Sequence, residues 1–412
     1  DPITLDAAAA YAVTSAEFQR ALAVVKKNDL SVRDWRAAVA AVRKAKEQPQ
    51  SRPTPSSGKL TPGTAAGTDL AHAEALVQTH GAQLLHVPPL GGWHVWSGKH
   101  WEQDDPAAER LAKDVARQLV IKATHIGNDK ALDDARRAQS ARGLQNMLAL
   151  ARTEATVARR PQDFDRDPML LNVANGTLDL ATGKLRPHQQ SDHITHLCPI
   201  HYDPAAKSTI WDEFLDFATE GNVELASFMA RAVGYGLTGR TDEEVFFLLH
   251  GHENTGKSTF IGAVKACLGS LLRTADVSTF LEHKNTNRGG PSEDVARLAG
   301  ARIVATIEVE DGARLAHSLV KHVTGKDVIS ARFLNKGTFE YMPQFKFWIV
   351  CNAAPRMDHD DGAIWRRVLR IPLDRVVPPE RRDPRVKAHL IGPQGGPSAG
   401  SAAVLAWAVR GC

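Results

Sequence analysis

Gly251-His252-Glu253-Asn254-Thr255-Gly256-Lys257-Ser258 fits the spacing G-x-x-x-x-G-K-[ST] at every fixed position. The apolar run Glu244-Val245-Phe246-Phe247-Leu248-Leu249 before it reads as a strand, and Thr259 to Leu268 after it reads as a helix. In that context the glycines let backbone N–H groups turn inward around phosphate oxygens, and the helix N-terminus adds positive potential. Gly251, Glu253, Asn254, Thr255, Gly256 and Thr259 then frame the phosphates, Lys257 reaches the β- and γ-phosphates, and Ser258 ligates Mg²⁺. An incidental lysine in a glycine-rich turn is the competing reading, and the flanking strand and helix weigh against it.

Downstream, Ala301-Arg302-Ile303-Val304-Ala305-Thr306-Ile307 reads as a buried strand that runs into Glu308-Val309-Glu310-Asp311. Glu308 and Glu310 are two apart and project to one face, at the strand end where ligands bind in open α/β sheets. One can hold the Mg²⁺ shell, with Glu308 the candidate, while the other polarises an attacking water; the spacing leaves the division of labour open. A third run, Phe345-Lys346-Phe347-Trp348-Ile349-Val350-Cys351, ends in Asn352-Ala353-Ala354-Pro355. The Asn352 amide can donate to a γ-phosphate or orient the water, although an Asn that opens a turn before proline would look the same. Between the second and third strands, alternating residues flank Asn335-Lys336-Gly337, which predicts a hairpin with Lys336 at its tip. Arg314, Lys321, Lys326, Arg332, Lys336 and Lys346 against Asp327 and Glu340 give this stretch a net +4, as large as the whole chain's.

Upstream the texture differs. Residues 5–46 carry apolar side chains at helical spacing and predict two short helices, and 47–68 is a Pro/Ser/Gly/Thr-rich linker. A mixed α+β domain is expected over 69–205: a helix from Asp69, a hairpin over Trp93–Trp101, helices over 107–160 and strands over 171–185. The segment that carries the glycine loop and the three strands is expected over 206–377, followed by a loop and a terminal helix, cut short, over 378–412.

The 412 residues exceed one core, and 43% hydrophobic with 24% charged residues is ordinary globular composition. A net charge of +4 establishes no polyanionic partner by itself. Cys198, Cys267, Cys351 and Cys412 form no close pair, which argues against a zinc or redox motif and for reduced thiols in a cytoplasmic protein. No window has the length and apolarity of a membrane span. The start at Asp1 and the apolar run Ser401–Cys412 predict a piece of a longer polypeptide.

The order of glycine loop, strand-Glu-x-Glu and strand-Asn-x-x-Pro resembles the superfamily 3 helicase core, as found in phage and plasmid primases and in the poxvirus primase-helicase. Gly234-Tyr235-Gly236-Leu237-Thr238-Gly239, Asp294-Val295-Ala296-Arg297-Leu298 and Ala363-Ile364-Trp365-Arg366-Arg367-Val368 extend the likeness. It implies an α/β P-loop NTPase (AAA+-like) core that follows an α+β domain and an N-terminal helical segment. It further implies a homo-oligomeric, usually hexameric ring with ATP between protomers, single-stranded or forked DNA in the channel, and a bacterial host cell. By the same resemblance Arg367, with Arg366 second, is the arginine that completes a neighbour's site, and Lys336, with Lys326 and Arg332 behind it, contacts DNA. An upstream primase domain in the same polypeptide is implied as well. Asp104-Asp105 and Asp133-Asp134 are isolated pairs, so no priming is expected from these residues. An ATP-switched loader or scaffold that does not unwind DNA is the reading from another class.

Overall fold

The computed structural model describes residues 64–281, 293–307, 314–333, 338–357 and 361–412. The helices expected over 5–46 and most of the linker expected over 47–68 lie outside these residues.

Thr68 caps the first described helix, α1 (Asp69–His80), by accepting the N–H of Ala71. An antiparallel sheet of β1 (Leu84–Val87), β2 (Gly92–Trp96) and β3 (Trp101–Gln103) follows, with the expected hairpin between β2 and β3. Asp104 then caps α2 (Asp105–Ile126), which Gly127 ends in a left-handed conformation. With α3 (Asp129–Ala138) and α4 (Ala141–Ala151) it closes a small core around Leu76, Leu84, Trp93 and Met147. The strands expected over 171–185 form an antiparallel meander of β4 (Leu170–Val173), β5 (Gly176–Asp179) and β6 (Lys184–Arg186). Leu171, Val173 and Leu178 of this meander pack into the larger core that follows.

Helices α5 (Thr209–Ala218) and α6 (Val223–Leu237) lead to β7 (Phe246–His250), α7 (Lys257–Leu268), β8 (Leu272–Thr274), the short α8 (Glu293–Ala296) and β9 (Ile303–Ile307). Next come α9 (His317–Thr324), the hairpin β10 (Ile329–Arg332) and β11 (Thr338–Tyr341), β12 (Lys346–Cys351), the single turn α10 (Gly362–Trp365) and β13 (Val368–Pro372). Five of these strands form one parallel sheet in the order β13-β7-β12-β9-β8. Both faces are covered, as a parallel sheet requires. Phe247, Leu249, Trp348 and Val350 face Trp211, Met229, Phe260 and Val404, while Phe246, Leu248, Phe347 and Ile349 face Phe280, Val320 and Ile364.

The chain ends in α11 (Pro384–Leu390) and α12 (Ser401–Gly411). The stretch 378–400, expected to be loop, thus contains a helix, with Asp383 as its cap and Pro384 in its first turn. Helix α12 lies close against α6: a Cβ on Gly234 would sit 2.4 Å from the backbone N of Cys412, and one on Gly411 would sit 2.1 Å from the Ala230 carbonyl oxygen. Among the described residues no helix is long and apolar enough to cross a membrane. Cys198, Cys267 and Cys351 are buried free thiols and Cys412 is exposed.

Candidate functional site

The connection out of β7 runs across the sheet to β8, while that out of β12 runs the other way to β13. Such a reversal opens a crevice at the carboxyl ends of the strands, and the Gly251–Ser258 loop lies there. Gly251 has φ +154°, and a Cβ there would lie 1.8 Å from the Leu373 carbonyl oxygen, so only glycine lets the loop pass the end of β13. Asn254 (φ +60°) and Gly256 (φ +94°) complete the turn into α7.

Lys257 opens α7 and folds back into the loop. Its Nζ donates to the carbonyls of Gly251 at 2.7 Å and His252 at 2.5 Å, with the Thr255 hydroxyl at 3.4 Å. Burial lowers the pKa of this ammonium, against the pull of Cys351 and Glu253. Ser258, Glu253 and Asn254 are exposed, Thr259 is half-buried and Thr255 is buried. A loop that only glycine can close, a lysine aimed into it and an exposed hydroxyl on the first turn of a twelve-residue helix fit a phosphate with a divalent cation.

Cys351 pairs with His250 in parallel register, so Asn352 and Gly251 leave the sheet at the same level. Asn352 is exposed, and burial pushes the Cys351 thiol up to about 11. Ile307 pairs with Val350 at the same edge. Glu308 and Glu310 lie outside the described residues.

One wall of this edge is invisible to motif reading. A cavity of about 690 Å³ adjoins Asn254, Gly256 and Thr259, with Phe214 of α5 on one side and Arg381, Arg382 and Lys387 on another. Phe214 stacks on Trp211 at 5.5 Å between centroids, and Arg375 lies 4.4 Å over the ring of Phe217. A large aromatic three residues after a buried Trp211 was the available signal.

Arg366 and Arg367 sit at the other edge, just before β13 begins. Arg367 is held: Nη2 lies 2.6 Å from the Glu244 carboxylate, and Nη1 donates to the Glu244 carbonyl at 3.1 Å and the Thr324 hydroxyl at 3.4 Å. Arg366 is exposed and, among the described residues, bonds within its own turn, Nε to the Gly362 carbonyl at 3.2 Å. A strand of five residues, about 17 Å at ~3.3 Å per residue, separates both from the glycine loop of their own chain.

The expected hairpin is present, with Ile329 opposite Tyr341 and Arg332 opposite Thr338. Its tip, Lys336 included, lies outside the described residues. Arg332 is exposed, and Lys326 is exposed with Asp242 at 4.0 Å. Lys346, which the sequence counts among the local cations, is only 1% exposed and donates into the carbonyls of Thr238 at 2.5 Å and Arg240 at 3.0 Å. Lys321 is bound to Asp361 at 2.6 Å. The surface charge excess near the hairpin is therefore smaller than the sequence count, because a strand-end lysine turns inward and another is neutralised across helices.

Comparisons with known proteins come from both halves of the chain. A family described as D5 N terminal like matches residues 73–220, and a family of unknown function, DUF5906, matches 249–367. The chain is 29% identical over 218 residues to "Putative helicase L207/L206" of Acanthamoeba polyphaga mimivirus, which covers 52% of this chain and 22% of that protein. It is 30% identical over 151 residues to "Putative helicase 022R" of Frog virus 3 (isolate Goorha), with 36% of this chain and 15% of that one covered. "Putative helicase 121R" of Invertebrate iridescent virus 3 is 24% identical over 228 residues, with 51% and 23% covered. The chain thus spans about a fifth of the length of these curated relatives. Among solved structures, the NrS-1 C terminal region is similar at a TM-score of 0.41 and 10% identity, covering 65% of this chain and 58% of that one. The chain is therefore similar to helicase-named viral proteins and carries a D5 N terminal-like stretch. All three named relatives are viral, from Acanthamoeba polyphaga mimivirus, Frog virus 3 and Invertebrate iridescent virus 3, and lend no support to a bacterial host.

Proposed function

We propose that this chain is the ATP-hydrolysing motor of a replication helicase, a P-loop NTPase of superfamily 3 type that moves on single-stranded DNA. What supports the reading most is that the glycine loop with Lys257 and Ser258 lies at the carboxyl edge of the sheet and Arg366 at its amino edge. Arg366 cannot reach its own chain's loop, so the arrangement makes sense when copies stand head to tail in a closed ring, for which six is the expected number.

In that assembly Lys257 would turn from the Gly251 and His252 carbonyls to the β- and γ-phosphates, and Ser258 with Glu308 would hold Mg²⁺. The metal supplies charge neutralisation on the phosphates when bound. Glu310 or Glu308 orients the attacking water, and Asn352 reads the γ-phosphate from the neighbouring strand end. The cavity beside Phe214 receives the base and ribose, an aromatic face with Arg381, Arg382 and Lys387 at its rim. Arg366, exposed and engaged by no carboxylate among the described residues, is better suited than Arg367 to stabilise charge on a neighbour's γ-phosphoryl group. The hairpin, through Lys336, Arg332 and Lys326, grips the DNA backbone by contacts that are independent of sequence and sensitive to salt.

The test is ATP turnover with and without single-stranded DNA for the wild type, Lys257→Ala and Lys336→Ala. The first substitution abolishes turnover; the second keeps basal turnover and loses the stimulation by DNA. A wild type that fails to hydrolyse ATP with magnesium would sink the reading. An ATP-switched loader that binds DNA without opening it is separated from a helicase by strand release from a forked duplex.

A further inference from the structure

Asp361 joins two elements that the reading above uses for different purposes. Its Oδ2 accepts from Lys321 Nζ at 2.6 Å and lies 2.9 Å from His317 Nδ1, both on α9. Its Oδ1 accepts the N–H groups of Ala363 at 3.1 Å and Ile364 at 3.3 Å and so starts the turn α10. The bond from Lys321, seconded by His317 and the Ile364 N–H against the cost of desolvation, holds the carboxyl down at about 2, so it is charged at any working pH.

The two elements are pinned at their other ends as well. Thr324, the last residue of α9, accepts from Arg367 Nη1 at 3.4 Å, and Ile364 is fully buried in one apolar cluster with Val320 and Val323. Helix α9 runs directly toward β10, the first strand of the hairpin, and α10 runs directly into Arg366. Ties at both ends and a shared apolar cluster thus couple α9 to α10.

We propose that Asp361 is a positioning residue: it fixes the turn that presents Arg366 to the neighbouring protomer and links that turn to the helix leading into the DNA hairpin. DNA seated at the hairpin then sets the rate of hydrolysis in the next protomer's site, through α9, Asp361 and α10. This rests on the motor reading above. A plain helix cap would not need the two partners on α9, which lie 40 and 44 residues away in sequence, and asparagine caps as well as aspartate does.

Asp361→Asn separates the two roles, because it keeps the cap and loses the charge that Lys321 binds. The experiment measures melting temperature, affinity for a fluorescent ATP analogue, binding of an oligo-dT strand, and ATP turnover with and without that strand, for wild type, Asp361→Asn, Arg366→Ala and the double variant. Expected for Asp361→Asn are a melting temperature only slightly below wild type, because the Lys321 bond it weakens is partly exposed, wild-type affinities, turnover at least about tenfold lower, and loss of stimulation by oligo-dT. The double variant should fall no further than Arg366→Ala alone, because Asp361 acts through that arginine. The proposal is overturned if Asp361→Asn hydrolyses and responds as the wild type does, if the two losses multiply, or if the variant melts well below the wild type and is thereby reduced to a stability defect. A wild type without turnover overturns the motor reading itself, a separate result from any of these.

Discussion

The backbone N–H of Lys346 donates to the carbonyl of Arg302 at 2.9 Å, and the side chains of these two neighbours are buried cations with backbone carbonyls as their partners. Arg302 donates to the carbonyls of Pro168 at 2.9 Å and Leu170 at 3.3 Å, just ahead of and inside β4. Lys346 reaches Thr238 and Arg240, between α6 and β7, with its Nζ 4.7 Å from the centroid of the Tyr235 ring. Together with Gly239, whose N–H donates to Pro168, they fasten the amino edge of the parallel sheet to the segment before it, at the end away from the glycine loop.

Replacing Lys346 by methionine should therefore loosen this seam. The Thr238 carbonyl would be left buried without its donor, which costs about 1–3 kcal/mol. Urea denaturation of Lys346→Met should register the loss. A variant as stable as the wild type would mean that those carbonyls find other donors.

His196 lies by the same seam and supplies a pH signature. Burial holds its imidazole down to about 4 in the fold, well below the 6.5 of an exposed histidine. Between those values the unfolded chain binds a proton that the folded chain refuses, so stability falls as pH drops from 6.5 toward 4 and levels off below. The loss reaches about 3 kcal/mol at most. His196→Gln removes the titration, and its stability should be flatter across that window. Parallel curves for variant and wild type would assign the acid sensitivity to other groups.

At the glycine loop, Gly251→Ala tests the closeness of two strand ends. The added methyl group meets the Leu373 carbonyl oxygen at 1.8 Å, a clash that backbone must yield to. Strain of this kind costs about 1–3 kcal/mol, and the loop moves off the end of β13. ATP affinity should fall further than stability, as read by nucleotide titration beside a melting curve. Unchanged affinity would show that the loop's path past Leu373 is not needed to bind phosphate.

Much of this was legible in the chain itself because it is local. The strand before Gly251, the helix after Lys257 and the two strands of the hairpin each follow from short-range pattern, and these elements lie where that pattern puts them. What could not be read is non-local. Phe214 and Arg381 meet at one cavity from positions far apart in sequence, and no periodicity links them. Lys346 has the composition of a surface cation and is buried only because the Thr238 and Arg240 carbonyls converge on it. The resemblance put Arg367 ahead of Arg366; what two adjacent identical letters could not show is that Glu244 lies beside Arg367.

That difference makes the last prediction. Arg367 is engaged by the Glu244 carboxylate and carbonyl and by Thr324, so Arg367→Ala removes a local knot and should lower stability by about 1–3 kcal/mol. Arg366 is exposed and among the described residues bonds to the Gly362 carbonyl, so Arg366→Ala should change stability by no more than the spread of surface substitutions, roughly 0.5 kcal/mol. Turnover should invert this ranking. An arginine that stabilises charge on a phosphoryl group in trans is worth about a thousandfold or more in rate, while nucleotide affinity hardly changes. Arg366→Ala should thus bind ATP, melt normally and fail to hydrolyse. A stable, active Arg366→Ala beside an inactive Arg367→Ala would return the role to Arg367 and require its bond to Glu244 to open when protomers meet.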